Sequence, residues 1–376
     1  MEKWASVAPR EAPEDASSGV LIKKYLEVAT CAARQAGSLI KSAYLEDKKK
    51  VQVKDGVDLV TETDKASEDL ILKTLRDAFP SHHFLGEESS FADSQQDLSE
   101  GTCCSGSSVQ LGNGPTWIID PLDGTTNFVC GFPMFCVSIA LVVKKVPIVG
   151  VIYNPVLDDM YTASIHGGAF LNGQQIRVSD TSNLGDAVIV NNIGASRDSN
   201  FILTTLSRIE VLLKNKIRAY RSTGSAAMNM CYVASGKFDV FYEDGYGGPW
   251  DVAAGLILIA EAGGVCLSVD GSSFALDSSK GNKILCGNGQ LLSVVASTLA
   301  QAHSAPTPVS VASRPGADSK KNMEEGNGQQ KGSSLISAVA VTTDFWQAAA
   351  LTVTGLAAVA AGLLLIGRRP GSITAS

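Results

Sequence analysis

Residues 117–128 read WIIDPLDGTTNF. An apolar run leads into two aspartates, Asp120 and Asp123, with Pro121 and Leu122 between them, and Gly124, Thr125 and Thr126 follow. Asp-Pro and Asp-Gly are turn formers and threonine is a fair helix cap. The plain reading is therefore a strand that ends in a turn. The same residues also suit a site for metal and phosphate, because carboxylates at a strand end and in the turn after it can converge on one point. The rest of the chain decides between the two.

The chain has 376 residues, 45% of them hydrophobic, and 36 glycines, which describes an α/β body large enough to bury a core. A formal net charge of -7 leaves no basic face for a nucleic-acid backbone. The eight cysteines, at 31, 103, 104, 130, 136, 231, 266 and 286, form neither a paired metal spacing nor a small disulfide framework, so reduced, buried thiols and a cytosolic setting are expected. Residues 1–19 mix acids with prolines and hold no apolar segment, which reads as a disordered leader and not a signal peptide.

Periodicity divides the remainder into a body at 20–300, a polar linker at 301–334 rich in Pro, Ser, Gly and charge, and an apolar tail at 335–376. Within the body, Ile22, Tyr25, Leu26, Ala29, Ala33, Ala36 and Ile40 repeat at helical spacing, as do Ala66, Leu70, Leu75, Ala78 and Phe79. Residues 137–154 read as two strands around a turn at Lys144 to Pro147, and β character continues through 161–173. GSAAMNMCYVASG reads as a helix, FDVFYE as a strand, and DVAAGLILIAEAGG as a helix closed by glycines. Strands alternate with helices, which predicts layered α/β packing. Residues 91–114 depart from this pattern as a long polar surface loop.

Further acids frame the opening motif. Glu87 and Glu88 lie in GEES after an apolar pair, Asp251 precedes a strongly apolar helix, and Asp64 closes DLVTETD. Taken singly, Asp251 reads as a helix cap, Glu87 as a solvated loop acid and Asp64 as a cap for a helix starting near Lys65. Taken together, DLVTETD, GEES, WIIDPLDGTTNFVCGFP and WDVAAGLILIAEAGG resemble, in order, the motifs of the inositol monophosphatase family of magnesium-dependent, lithium-sensitive phosphatases. VPIVGVIYNP and YGGPWD are similar to its plant and algal branch, whose members hydrolyse myo-inositol monophosphates and often L-galactose 1-phosphate.

That resemblance implies an α/β layered sandwich of the sugar-phosphatase kind over 20–300. It implies that Glu87, Asp120 and the Leu122 carbonyl hold one magnesium ion, and that Asp120, Asp123 and Asp251 hold a second, with Asp120 bridging. Acids gathered so closely would raise one another's pKa unless cations intervened, and an all-oxygen donor set suits Mg2+ better than zinc. Gly124 lets the backbone approach the phosphate, and the free N–H groups of a helix opened by Thr125 and Thr126 form its anion site. Asp64 pairs with the Thr125 hydroxyl to activate water. Gly194, Ala195, Ser196 and Glu243 are implied as contacts to the alcohol, with Asp123 and Asp251 also facing the substrate. Glu88, His82 and His83 read as surface residues. A homodimer is expected by resemblance only.

The expected substrate is a small phosphate monoester, myo-inositol 1-phosphate foremost. The alternatives are histidinol phosphate, 3'-phosphoadenosine 5'-phosphate, or a membrane-tethered interaction protein without activity; the intact acids speak against the last. The tail departs from the family pattern. Residues 348–367 carry no charge and would span about 30 Å as a transmembrane helix, matching a bilayer core. Arg368 and Arg369 follow it. A C-terminal anchor with the catalytic body in the cytosol is the resulting expectation.

Overall fold

The computed structural model describes residues 19–46, 51–55, 58–90, 111–276 and 282–303. All of these belong to the first of two compact units, Met1–Val309. The leader, most of the polar loop and the linker and tail after residue 303 lie outside the described residues, and so does the expected membrane helix at 348–367. Among the described residues, no helix is long and apolar enough to cross a membrane.

Two helices open the body. α1 (Gly19–Tyr44) and α2 (Glu62–Ala78) flank a short hairpin of β1 (Val51–Asp55) and β2 (Asp58–Thr61). The small residues Ala29, Ala32, Ala33, Ala36 and Gly37 give α1 a flat buried stripe. That stripe lies on a seven-stranded sheet whose order follows the chain: β3 (His83–Gly86), β4 (Thr116–Asp123), β5 (Cys136–Val143), β6 (Val146–Asn154), β7 (Asp159–Ser164), β8 (Gly168–Leu171) and β9 (Gln174–Gln175). β3 runs parallel to β4 and every later pair is antiparallel.

The central strand β6 shows why both faces of this sheet are covered. A Cβ on Gly37 of α1 would meet the Tyr153 ring, whereas a Cβ on Gly150 would meet Ala254 and Ile257 of the helix Pro249–Glu261. Residues 150 and 153 are an odd number apart, so they point to opposite faces of the strand. Helices therefore sit on both sides, which is why β5 and β6 are apolar along nearly their whole length.

Beyond those helices lies a second sheet of five strands, in the order β11 (Ala219–Arg221), β10 (Val188–Asn191), β12 (Val240–Asp244), β14 (Lys283–Gly287), β13 (Val265–Leu267). It is mixed, parallel on the β11, β10 and β12 side and antiparallel beyond. Further helices, in chain order, are α3 (Thr125–Cys130), α4 (Ser199–Lys214), α5 (Ala226–Ala234), α6 (Pro249–Glu261) and α7 (Gly289–His303). α5 and α6 fill the space between the sheets, and α4 and α7 close the outer face over a second core of Leu212, Leu285, Leu291, Leu292 and Val295. The layered α/β fold expected from the sequence is what the chain adopts.

Two expectations change. Cys136, Cys231, Cys266 and Cys286 are buried thiols, but Cys31 and Cys130 are exposed. The opening motif is also not a strand followed by a turn: β4 runs on through Asp123, and its register against β5 slips between Asp120, opposite Ser138, and Asp123, opposite Cys136. Three residues on one strand pass two on the other, which is a bulge, and Pro121 sits where the ladder has no use for its missing N–H.

Candidate active site

The bulge supplies the centre of the site. By adding one residue to β4 it turns the buried side chains of Asp120 and Asp123, the Leu122 backbone and Gly124 toward one cleft. Asp120 Oδ1 accepts from the Leu122 N–H at 3.0 Å, which fixes the turn. Ser67 Oγ of α2 donates to the Pro121 carbonyl at 3.1 Å and ties the bulge down from behind. Gly124 then adopts φ 92°, and a Cβ there would come within 2.9 Å of the Met134 carbonyl, so only glycine fits. α3 begins at the next residue, with Thr125 and Thr126 on the cleft wall.

Asp64 is not the cap of a helix starting near Lys65: α2 starts at Glu62 with Thr61 as its N-cap, and Asp64 is the third residue of its first turn. One oxygen of its buried carboxylate closes a capping box at the start of α2, accepting from the Thr61 N–H at 2.9 Å and from the Thr61 hydroxyl. The other oxygen accepts from the Thr125 hydroxyl at 3.0 Å. The cap thus holds the acid in the orientation that Thr125 needs. Burial pushes Asp64 up to about 6, against the pull of its Thr61 and Thr125 hydrogen bonds.

Asp251 stands in the first turn of α6, behind the N-cap Gly248, and its Oδ2 accepts from the Gly247 N–H at 2.6 Å. It is not the cap residue itself. Glu87 is the first of the helical residues 87–90 that directly follow β3, and it lines the cleft. Glu68 of α2, itself buried, accepts the N–H groups of Glu88 and Ser89 at 2.9 Å each and so caps the start of these helical residues.

The electrostatics show what the cleft suits. Burial and the charges of Glu87, Asp123 and Asp251 push Asp120 well above its usual range. Burial likewise pushes Asp123 up to about 6, although Ser225 Oγ (2.5 Å) and the Ala227 N–H (2.8 Å) both donate to it. Desolvation in the cleft, with Asp123, Glu87 and Glu243, raises Asp251 strongly. Among the described residues no ion pair reaches Asp120, Asp123 or Asp251. Such acids stay ionised only beside cations, and every available donor is an oxygen, so the residues fit a hard divalent ion. Among the described residues no three such side chains are already drawn into one coordination shell. Glu87 is held off by Lys54, and the aspartates are each tethered by a hydrogen bond of their own.

Lys54 is a functional candidate that sequence reasoning misses. From β1 its buried ammonium lies 2.8 Å from Glu87 and 2.5 Å from Glu88. Burial pulls its pKa down, but the two carboxylates outweigh this and raise it. Glu88 is consequently not the surface residue expected: it is buried, and desolvation pushes it up to about 7. His82 is half-buried, and its Nδ1 accepts from Trp117 Nε1 at 3.1 Å. His83 is exposed, as expected.

Across the cleft, Glu243, next to last in β12, lines the wall with Gly194 and Ala195. Ser196 does not line it; its carbonyl accepts from Arg197 at 2.9 Å. Gly224, Gly245, Tyr246 and Gly247 complete the wall. The sequence assigns none of these four to the site, although Tyr246 and Gly247 lie in YGGPWD; a glycine offers only backbone there, which carries no residue-type signal.

A layered α/β body whose cleft gathers Glu87, Asp120, Asp123 and Asp251 beside a hydrogen-bonded Asp64–Thr125 pair is compatible with a phosphatase. The chain belongs to the inositol monophosphatase family, whose model matches residues 22–344. Inositol monophosphatase 2 of Solanum lycopersicum is 46% identical over 255 residues, covering 68% of this chain and 91% of that protein. Inositol monophosphatase 1 of Sus scrofa is 40% identical over 252 residues, covering 67% and 86%. The solved structure of inositol monophosphatase from Anabaena superposes with a TM-score of 0.59 at 32% identity, covering 74% of this chain and 96% of that one.

Proposed function

We propose that this chain hydrolyses a small polyol monophosphate, myo-inositol 1-phosphate foremost, with magnesium as its metal and water as the direct nucleophile. The observation that carries the reading is the meeting in one cleft of Asp120, Asp123 and Asp251, which have no basic partner among the described residues, with Glu243 on the far wall. Glu87, Asp120 and the Leu122 carbonyl would hold one ion, and Asp120, Asp123 and Asp251 a second. When bound, magnesium supplies positive charge to the phosphoryl oxygens and makes water a stronger nucleophile.

The protein's own groups do the rest. The Thr125 hydroxyl, donating to Asp64 Oδ1, holds the acceptor that takes a proton from the attacking water. The free N–H groups at the start of α3 meet the phosphoryl oxygens, and Gly124 permits that approach. Glu243, with Gly194 and Ala195, meets the hydroxyls of the alcohol; a carboxylate there disfavours an alcohol that leaves it unpaired. No serine or cysteine with a neighbouring base stands ready as a covalent nucleophile among the described residues of the cleft.

The uncharged stretch 348–367 supports a second part of the proposal, a C-terminal membrane anchor with the catalytic body facing the cytosol. Full-length chain would then resist carbonate extraction, and recovery in the soluble fraction would sink the anchor alone. The activity is tested by the turnover of purified protein on myo-inositol 1-phosphate, L-galactose 1-phosphate, histidinol phosphate and 3'-phosphoadenosine 5'-phosphate. The first is expected to show the highest kcat/KM, and a clear preference for either of the last two would replace the substrate named here.

A further inference from the structure

Asn192 stands one residue beyond β10, buried, and its side-chain amide is engaged at both its oxygen and its nitrogen. Its Oδ1 accepts from the Gly224 N–H at 2.9 Å and from Asn229 Nδ2 at 3.0 Å. A backbone N–H can only donate, so the oxygen of the amide must face Gly224 and the NH2 must face the other way. There Nδ2 donates to Glu243 Oε2 at 3.0 Å. Asn229 is fixed in turn by Thr223, whose hydroxyl donates to its Oδ1 at 2.6 Å, and Asn127 of α3 donates to the Thr223 carbonyl at 2.8 Å. One chain of hydrogen bonds therefore runs from the helix start on the phosphate side of the cleft to the acid on the alcohol side.

Glu243 is 4% exposed and lines the cleft. With Oε2 taken by Asn192, Oε1 is the oxygen left to a ligand. Burial and the nearby charge of Asp123 push Glu243 up to about 8, and the Asn192 N–H opposes that by favouring the carboxylate. We propose that Asn192 is a positioning residue that fixes which oxygen of Glu243 meets the substrate's hydroxyls, and so sets the preference for a polyol ester over a phosphate ester without hydroxyls. The inference rests on the reading of Glu243 as the alcohol contact.

The test compares full-length wild type with Asn192→Asp and Asn192→Ala on myo-inositol 1-phosphate and on 4-nitrophenyl phosphate, which offers no hydroxyl. Asn192→Asp retains the oxygen facing Gly224 and Asn229 but sets an acceptor against Glu243 Oε2. Asn192→Ala removes the donor and leaves space for water, so one variant stays informative if the other folds poorly. The ratio of kcat/KM values, polyol ester over nitrophenyl ester, should fall at least about tenfold in both, through KM of the polyol ester, as expected for loss of a charge-assisted hydrogen bond. In a Glu243→Ala background the same Asn192 substitutions should change that ratio less than about twofold, because they act through Glu243. Equal losses on both esters, or an effect that persists without Glu243, would overturn the role of Asn192 alone. A wild type with no preference for the polyol ester would overturn the reading of Glu243 and this inference with it.

Discussion

Thr125→Val removes one hydroxyl from the proposed water-activating pair and almost nothing else. Valine has the shape of threonine, and the Thr125 backbone N–H on the phosphate side is untouched. The lost contacts are the 3.0 Å bond to Asp64 Oδ1 and the 3.2 Å bond to the Leu122 carbonyl. Asp64 keeps both Thr61 donors, so folding should lose only about 1 kcal/mol, read as a small shift in the urea midpoint. The chemical step should suffer far more. An acid–base group held out of position costs about 10² to 10⁴ in rate, and kcat on myo-inositol 1-phosphate should fall by that factor with KM nearly unchanged. Thr125→Ser restores a hydroxyl and should stay within about tenfold of wild type. Steady-state kinetics at saturating magnesium decide it. A Thr125→Val protein that keeps kcat within tenfold, or a Thr125→Ser protein as damaged as Thr125→Val, would refute the pairing.

Other expectations follow from single contacts. Gly150→Ala would push a Cβ to 2.7 Å from the Ala254 carbonyl, and should lower stability by about 1–3 kcal/mol in urea unfolding without changing KM. His82 is a base whose pKa burial and the neighbouring His83 lower from 6.5, while Lys24 lies over the Phe79 ring that stacks on it. Folding favours its neutral form, so its contribution to stability is present above pH 6.5 and is lost as the pH falls below it. His82→Gln keeps an acceptor for Trp117 without titrating, and its melting temperature should fall less than that of wild type between pH 7.5 and 5.5; equal slopes would reject this. Lithium, also an oxygen-seeking ion but with one charge less, should inhibit at millimolar concentrations in a way that added substrate does not relieve. An unchanged steady-state rate would take the protein out of the lithium-sensitive group.

The parts of the fold and site that were legible in the sequence are those where residue type and position carry the same information. Ala29, Ala33, Ala36 and Ile40 announced α1 because a small-residue stripe is needed where a helix lies flat on a sheet. α4 was silent for the opposite reason: Leu203, Leu206 and Leu213 are about half exposed while Thr205 and Arg208 are buried, which blurs the period. Asp120, Asp123, Gly124 and Thr125 were legible through the resemblance of their motif and the three that flank it to one family, since Asp-Pro and Asp-Gly alone read as a turn. The bulge that joins them was not, since register belongs to the pair β4 and β5 and not to either strand alone. Glu88 was misread because its burial depends on Lys54, a residue from another hairpin. Gly224 and Gly247 line the cleft with backbone, and only the assembled fold shows where that backbone goes.

The central claim is that Asp120 serves two magnesium ions at once. It is tested most directly by the magnesium dependence of myo-inositol 1-phosphate turnover in wild type and Asp120→Asn. Removing a shared charge should lower saturating kcat by about 10² to 10⁴ and shift the magnesium requirement upward, since several kcal/mol of transition-state charge stabilisation is lost. Unfolding midpoints without added metal should be no lower than wild type, because Asp120 is pushed well above its ordinary pKa and its charge works against folding in the absence of cations. An Asp120→Asn protein that turns over at nearly the wild-type rate in ordinary magnesium would contradict the account.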